Sequence, residues 1–121
     1  MKLLYITNGI AGSGGLERVL SIKASYLADI LGYEVHIITL NEENLSVFFK
    51  FSSKIIFHDI VADGSSFNFI KQYVKGINAV INTINPQVIS VCDDGLKAFF
   101  LPIIIRQKQP IIYEQIGRAH V

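Results

Sequence analysis

A short apolar run, Leu3-Leu4-Tyr5-Ile6, leads into Asn8-Gly9-Ile10-Ala11-Gly12-Ser13-Gly14-Gly15, and an amphipathic segment begins near Leu16. No other stretch limits the possible folds so narrowly. Four of the nine glycines fall within residues 9–15, so the backbone can turn tightly and approach another molecule with no Cβ in the way. A strand that passes through such a turn into a helix makes an anion site. The unpaired N–H groups of the first helical turn and the aligned peptide dipoles behind them favour a phosphate or diphosphate. The alternative is a tight strand-to-helix turn that binds nothing, although such connections usually need only about 2 to 6 residues.

The remaining chain alternates in the same way. Leu3 to Ile6 reads as a first strand covered on both faces. Leu16, Leu20, Ala24, Leu27 and Leu31 then recur at helical spacing and predict one buried face, with Gly32 as C-cap and Glu17, Arg18, Lys23 and Asp29 in solvent. Glu34 to Leu40 is the second strand. It contains His36, a lone histidine with no second ligand at metal spacing and no assigned chemistry. Lys54 to Ile60 is the third strand, and Gly64-Ser65-Ser66 is a turn with a serine N-cap. Ile70, Tyr73, Ile77, Val80, Ile81 and Ile84 form the stripe of a second helix that ends before Pro86, while Lys71 and Lys75 lie off it. Gln87 to Cys92 is a buried fourth strand with Cys92 as a small core residue. Leu96 to Gln109 is a third helix, interrupted near Pro102, and Ile111-Ile112-Tyr113 is a fifth strand.

This alternation implies an α/β fold, a Rossmann-like doubly wound parallel sheet with helices on both faces. In such sheets the first and fourth strands commonly lie side by side where the winding reverses, leaving a crevice at their carboxyl ends. Asn8 to Gly15 would form one wall of it, and Cys92 to Gly95, with Asp93 and Asp94, the other. The adjacent carboxylates of Asp93 and Asp94 suggest a metal, but neighbouring side chains at a strand end point in different directions, and a helix N-cap suits an aspartate better.

The glycine turn misses the dinucleotide fingerprint G-x-G-x-x-G. Gly12-Ser13-Gly14 supplies the first two glycines, but the third position is Glu17. The Glu42-Glu43 pair stands about where a dehydrogenase holds its ribose, which keeps a nucleotide- or dinucleotide-binding module open as the alternative. What stands at the turn, Gly14-Gly15-Leu16-Glu17-Arg18, resembles the G-G-x-E-R signature that opens the first helix in family 4 glycosyltransferases. These are retaining enzymes of GT-B fold that use nucleotide-activated sugars. The resemblance extends over the order of elements from Met1 to about Glu114. It implies the incomplete N-terminal, acceptor-side domain over residues 1–114, truncated after about five strands. A second domain that holds most of the donor and carries glutamates in an E-x7-E arrangement would be missing.

By the same resemblance, Gly12, Ser13, Gly14, Gly15, Glu17 and Arg18 would lie at the donor diphosphate, in the crevice whose walls the topology assigns to Asn8, Asp93, Asp94 and Gly95. The partners are a nucleotide-sugar and a glycan or lipid-linked acceptor. No metal or other cofactor is expected, and the catalytic residues are not identified. The expected role is sugar transfer in cell-surface polysaccharide biosynthesis, in the cytoplasm and at most peripherally at the inner face of the membrane. The piece alone would be inactive.

Composition agrees with a packed domain. Half of the 121 residues are hydrophobic and 17% are charged, which is enough for a core and argues against disorder. A net charge of +1 points to neither nucleic acid nor an anionic membrane as principal partner. The single cysteine fits a reducing compartment, no secretory signal is evident, and no apolar stretch approaches the ~20 residues that span a bilayer. At the carboxyl end, Tyr113-Glu114 matches the start of a Glu-Arg-His-like stretch in the resembled family, and there the match stops. Ile116-Gly117-Arg118-Ala119-His120-Val121 is the string that a widely used short-read sequencing adapter gives when translated in one frame. Residues 115–121 are therefore expected to be a non-native tail, with the natural chain continuing past Glu114 and His120 playing no catalytic part.

Overall fold

A computed structural model describes residues 1–7, 14–42, 47–92 and 110–113. Strands β1 (Lys2–Ile6), β2 (Glu34–Leu40), β3 (Ile56–Ile60), β4 (Val88–Val91) and β5 (Ile111–Tyr113) form one parallel sheet in the order β3-β2-β1-β4-β5. Helix α1 (Gly15–Asp29) joins β1 to β2, and α2 (Ser66–Ile84) joins β3 to β4. The chain winds outward from β1 to β3 and then returns past β1 to β4. The register Leu3↔Val88 to Ile6↔Val91 sets β1 directly beside β4. This is the doubly wound α/β sheet that the alternation of elements predicts.

Because successive strand side chains face opposite ways, the sheet builds two cores. Leu4, Ile6, Ile38, Ile60, Ile89 and Val91 meet Tyr73, Ile77, Ile81 and Ile84 of α2 on one face. Tyr5, Val35, Ile37 and Cys92 meet Leu20, Ala24 and Ala28 of α1 on the other. Both faces of the central strands are covered, which is why β1 and β2 read as nearly continuous apolar runs.

The helix ends differ from the expectations in detail. Helix α1 stops at Asp29, and its C-cap is Ile30 rather than Gly32. Gly32 takes φ +70 in the turn beyond, where a side chain would be strained, and the Tyr33 N–H donates back to the Leu27 carbonyl at 3.0 Å. Leu31, outside the helix, is exposed rather than buried, and Ala28 fills the core position instead. Ser65 is the N-cap of α2, as expected, but its side chain makes no capping hydrogen bond. Asn85, in the left-handed region at φ 48, ends α2 immediately before Pro86, and its N–H donates to the Ile81 carbonyl at 2.8 Å. The expected third helix, Leu96 to Gln109, and residues 114–121 lie outside the described residues.

Candidate functional site

The candidate site is the carboxyl edge of the sheet, where β1 ends between β2 and β4. The Thr7 N–H donates to the Ile38 carbonyl at 3.1 Å and the Cys92 N–H to the Ile6 carbonyl at 3.0 Å. The chain leaving β1 is thus held at the point where the winding reverses, the position at which open α/β sheets bind ligands. Helix α1 begins beside it with Gly14 as N-cap and Gly15 as its first residue. Gly14 and Gly15 are exposed, as is Arg18, and Glu17 is half-buried. Asn8, Gly12, Ser13, Asp93, Asp94 and Gly95 lie outside the described residues.

Gly14 has φ −78 and ψ 178, extended angles open to any residue. A Cβ there would meet only the flexible tip of Glu17, with Oε1 at 2.9 Å. Neither backbone conformation nor rigid packing demands a glycine at this position. The same contact shows Glu17 turned back over Gly14, so its carboxylate already complements the positive end of the helix dipole.

On the far side of the edge, two side chains fix the exit from β2 and β3. Asp59 accepts a hydrogen bond from the Thr39 hydroxyl at 2.6 Å and holds the Glu42 N–H at 2.9 and 3.0 Å with its two carboxylate oxygens. Asn41, at φ 53, uses its side-chain amide on both backbone groups of Ala62, each at 2.9 Å. Asp59 therefore fixes the backbone of Glu42, one of the Glu42-Glu43 pair on which the dinucleotide alternative rests, while Glu43 lies outside the described residues.

At the opposite, amino end of the sheet, His36 is buried but not alone. It pairs in register with Ile56, which makes His58 its diagonal neighbour on the same face. Nδ1 of His36 lies 2.8 Å from Nε2 of His58, and Nε2 of His36 lies 2.7 Å from Oε2 of Glu34. Lys2 extends the network, with Nζ donating to the Ile84 carbonyl at 2.8 Å and lying 3.7 Å from Glu34. The sequence reading missed this cluster. The alternation within β2 puts Glu34 and His36 on one face, but only the β2–β3 register brings in His58. Among the described residues no group of three or more His, Cys, Asp or Glu side chains could hold a metal ion.

Burial, and then the charge of His36, hold the His58 pKa below its ordinary value of 6.5. The hydrogen bond from His36, with the charge of Lys2 helping, holds Glu34 below the usual carboxylate range. Both folded pKa values are depressed, so the unfolded chain binds more protons and stability must fall as the solution is acidified. For His58 the loss begins as pH drops below about 6.5, with Glu34 adding to it below about 4.3. Urea midpoints should therefore be lower at pH 5.5 than at pH 7.5, and His58→Gln should flatten that difference. An equal difference in the variant would mean that His58 is not the group responsible.

No family model matches the chain, and no curated protein does. Its fold is similar to that of a ugt transferase from Siraitia grosvenorii solved in complex with UDP, with a TM-score of 0.61 at 12% identity. The match covers 93% of this chain and 27% of the transferase. At that identity the likeness establishes the fold alone, a parallel α/β sheet. This chain spans little more than a quarter of that protein's length. No helix among the described residues is long and apolar enough to cross a membrane.

Proposed function

We propose that the chain is the acceptor-side N-terminal part of a retaining, family 4-type glycosyltransferase that moves a sugar from a nucleotide-sugar donor to a saccharide or lipid-linked acceptor in cell-surface glycan synthesis. The observation that carries this reading is the turn into α1. Gly14 and Gly15 open the helix that follows β1, β1 lies directly beside β4, and neither the backbone angles nor the packing of Gly14 demand a glycine. Close approach of a ligand to the backbone supplies the missing reason. In this reading Gly12, Ser13, Gly14 and Gly15, flanked by Glu17 and Arg18, face the donor diphosphate, and Asn8, Asp93, Asp94 and Gly95 complete the crevice. The likeness to a transferase fold supports the same reading.

Most of the donor contacts would come from a second domain outside this chain. One wall of a cleft orients the anomeric carbon and steadies the leaving group poorly, so the 121 residues alone should show no turnover. The test is to assay this chain beside the complete reading frame with a panel of nucleotide sugars and saccharide or lipid acceptors. Transfer by the long form alone supports the proposal, and transfer by the short form, or by neither, refutes it.

The turn can be tested separately from folding. Gly14→Ser should leave stability unchanged or raise it by a few tenths of a kcal/mol, because serine is at least as good an N-cap as glycine. In the complete enzyme it should nevertheless weaken donor binding in a calorimetric titration, and Gly15→Val should weaken it further. Undiminished donor affinity in folded variants would rule out close backbone approach.

A further inference from the structure

Glu34, His36 and His58 make a chain of contacts that fixes where each proton sits. An ionised carboxylate can only accept, so the 2.7 Å contact with Oε2 of Glu34 requires a proton on Nε2 of His36. A neutral His36 then has only a lone pair on Nδ1, and the 2.8 Å hydrogen bond there is donated by Nε2 of His58. The ring centroids are 5.1 Å apart with planes inclined by 19°, a separation that the N···N contact permits only with the rings end to end. Donor and lone pair therefore lie along one line.

We propose that this chain is an acid-triggered latch, which takes up one proton with its contacts intact and opens the β2–β3 edge on taking a second. The first proton enters from solvent at Nδ1 of half-buried His58, and the Nε2 proton of His58 passes to Nδ1 of His36. His36 is then a cation held against the Glu34 carboxylate, while His58 is neutral again, protonated on Nδ1 and accepting at Nε2. The hydrogen bond has reversed direction without breaking. A second proton, on Nε2 of His58, leaves two cations with N–H groups facing each other, so the contact is lost and the pair titrates in two separate steps. No neighbouring charge relieves that repulsion among the described residues. Lys2 of β1, the amino terminus of Met1 beside Glu34 and Lys54 before β3 are cationic, residues 77–84 of α2 over this face have no ionisable side chain, and Asp59 turns to the other face of β3.

The opening is local. Among the described strands β3 pairs with β2 alone, and Ile56 and Phe57 are 44% and 40% exposed, so little apolar burial holds them. Buried Ile55 and Ile60 anchor the strand on either side. The Ile60 carbonyl accepts the Asn41 N–H, and by alternation the backbone groups of Ile56 and His58 also point to β2; these are the ones released. Both imidazoles of the open edge take protons near the ordinary value of ~6.5, whereas the closed edge holds one, so opening grows about tenfold for each pH unit below it. This inference does not rest on the proposed transferase activity.

Two-bond proton–nitrogen NMR spectra of the 121-residue chain, recorded from pH 8 to pH 5, read the protons directly. His36 should keep Nε2–H throughout, and His58 should change from the Nε2–H to the Nδ1–H tautomer as the first proton is taken up. A His58 that holds one tautomer until it becomes a cation overturns the relay. Amide exchange, corrected for its intrinsic pH dependence, should accelerate about tenfold per pH unit below ~6.5 at Ile56 and His58, and not at Leu4 and Ile6 of central β1. Equal acceleration at Leu4 and Ile6 means global unfolding and overturns the local latch, as does no acceleration at all. His58→Gln can donate to or accept from Nδ1 of His36 without titrating, and it should abolish the acceleration at Ile56. Glu34→Gln, at an exposed position, removes the carboxylate that favours the His36 cation and should abolish the tautomer change. Persistence of either effect in its variant refutes the proposal.

Discussion

Ile77→Ala should destabilise the protein by about 2–5 kcal/mol, the range for removing most of a buried aliphatic side chain. Ile77 is fully buried, one helical turn from Tyr73 and Ile81, where α2 lies across Ile6, Ile38 and Ile89. Alanine at this point removes the transfer free energy of three carbons and leaves a hole that a helix clamped by neighbours on both sides cannot close. Total stability for a domain of this size is about 5–15 kcal/mol, so the loss is a large fraction of it. Urea unfolding followed by circular dichroism would measure the effect, with exposed Lys71→Ala as the surface reference. A midpoint for Ile77→Ala no lower than that of Lys71→Ala would mean that α2 does not pack by this face. Leu20→Ala probes the other core in the same way, since Leu20 is fully buried under α1.

A second effect on the same core comes from adding atoms. At Gly76 a Cβ would lie 2.8 Å from Cγ2 of Ile60 and 3.1 Å from both Cγ1 and Cδ1. Glycine here lets α2 approach the end of β3. Gly76→Ala should gain about 1 kcal/mol of helix propensity and lose about 1–3 kcal/mol to overpacking, because a branched, buried neighbour has little room to move. Gly76→Leu should cost more. The mechanism is separable by a double-mutant cycle: in an Ile60→Ala background the clash is gone, and Gly76→Ala should become neutral or stabilising. Equal effects in both backgrounds would show that the close approach is not what limits this position.

Much of this architecture was legible because its signals are local. The run Glu34 to Leu40 marks β2 to the residue, and the periodic row from Ile70 to Ile84 marks the buried face of α2. The placement of β1 beside β4 followed from topology. What was not legible depends on contacts distant in sequence. Lys54 and Ile55 look like strand but precede it, because β3 pairs with β2 only from Ile56 onward. Leu31 continues the helical period, yet the turn at Gly32 ends α1 first and leaves it exposed. His36 resembled a solitary core histidine because nothing local to it indicates the register that brings up His58.

The anchoring of the β2–β3 connection separates the residues that define this edge of the sheet from those that merely bridge it. Asp59 fixes the chain as it leaves β2 at Glu42, and the Ser25 hydroxyl accepts the Ser52 N–H at 2.9 Å before the chain enters β3. Loops at the carboxyl edge of such sheets carry ligand selectivity. Asp59, Asn41 and Ser25, which anchor the chain here, belong to the regular elements or their ends, so their contacts do not depend on what such loops contain.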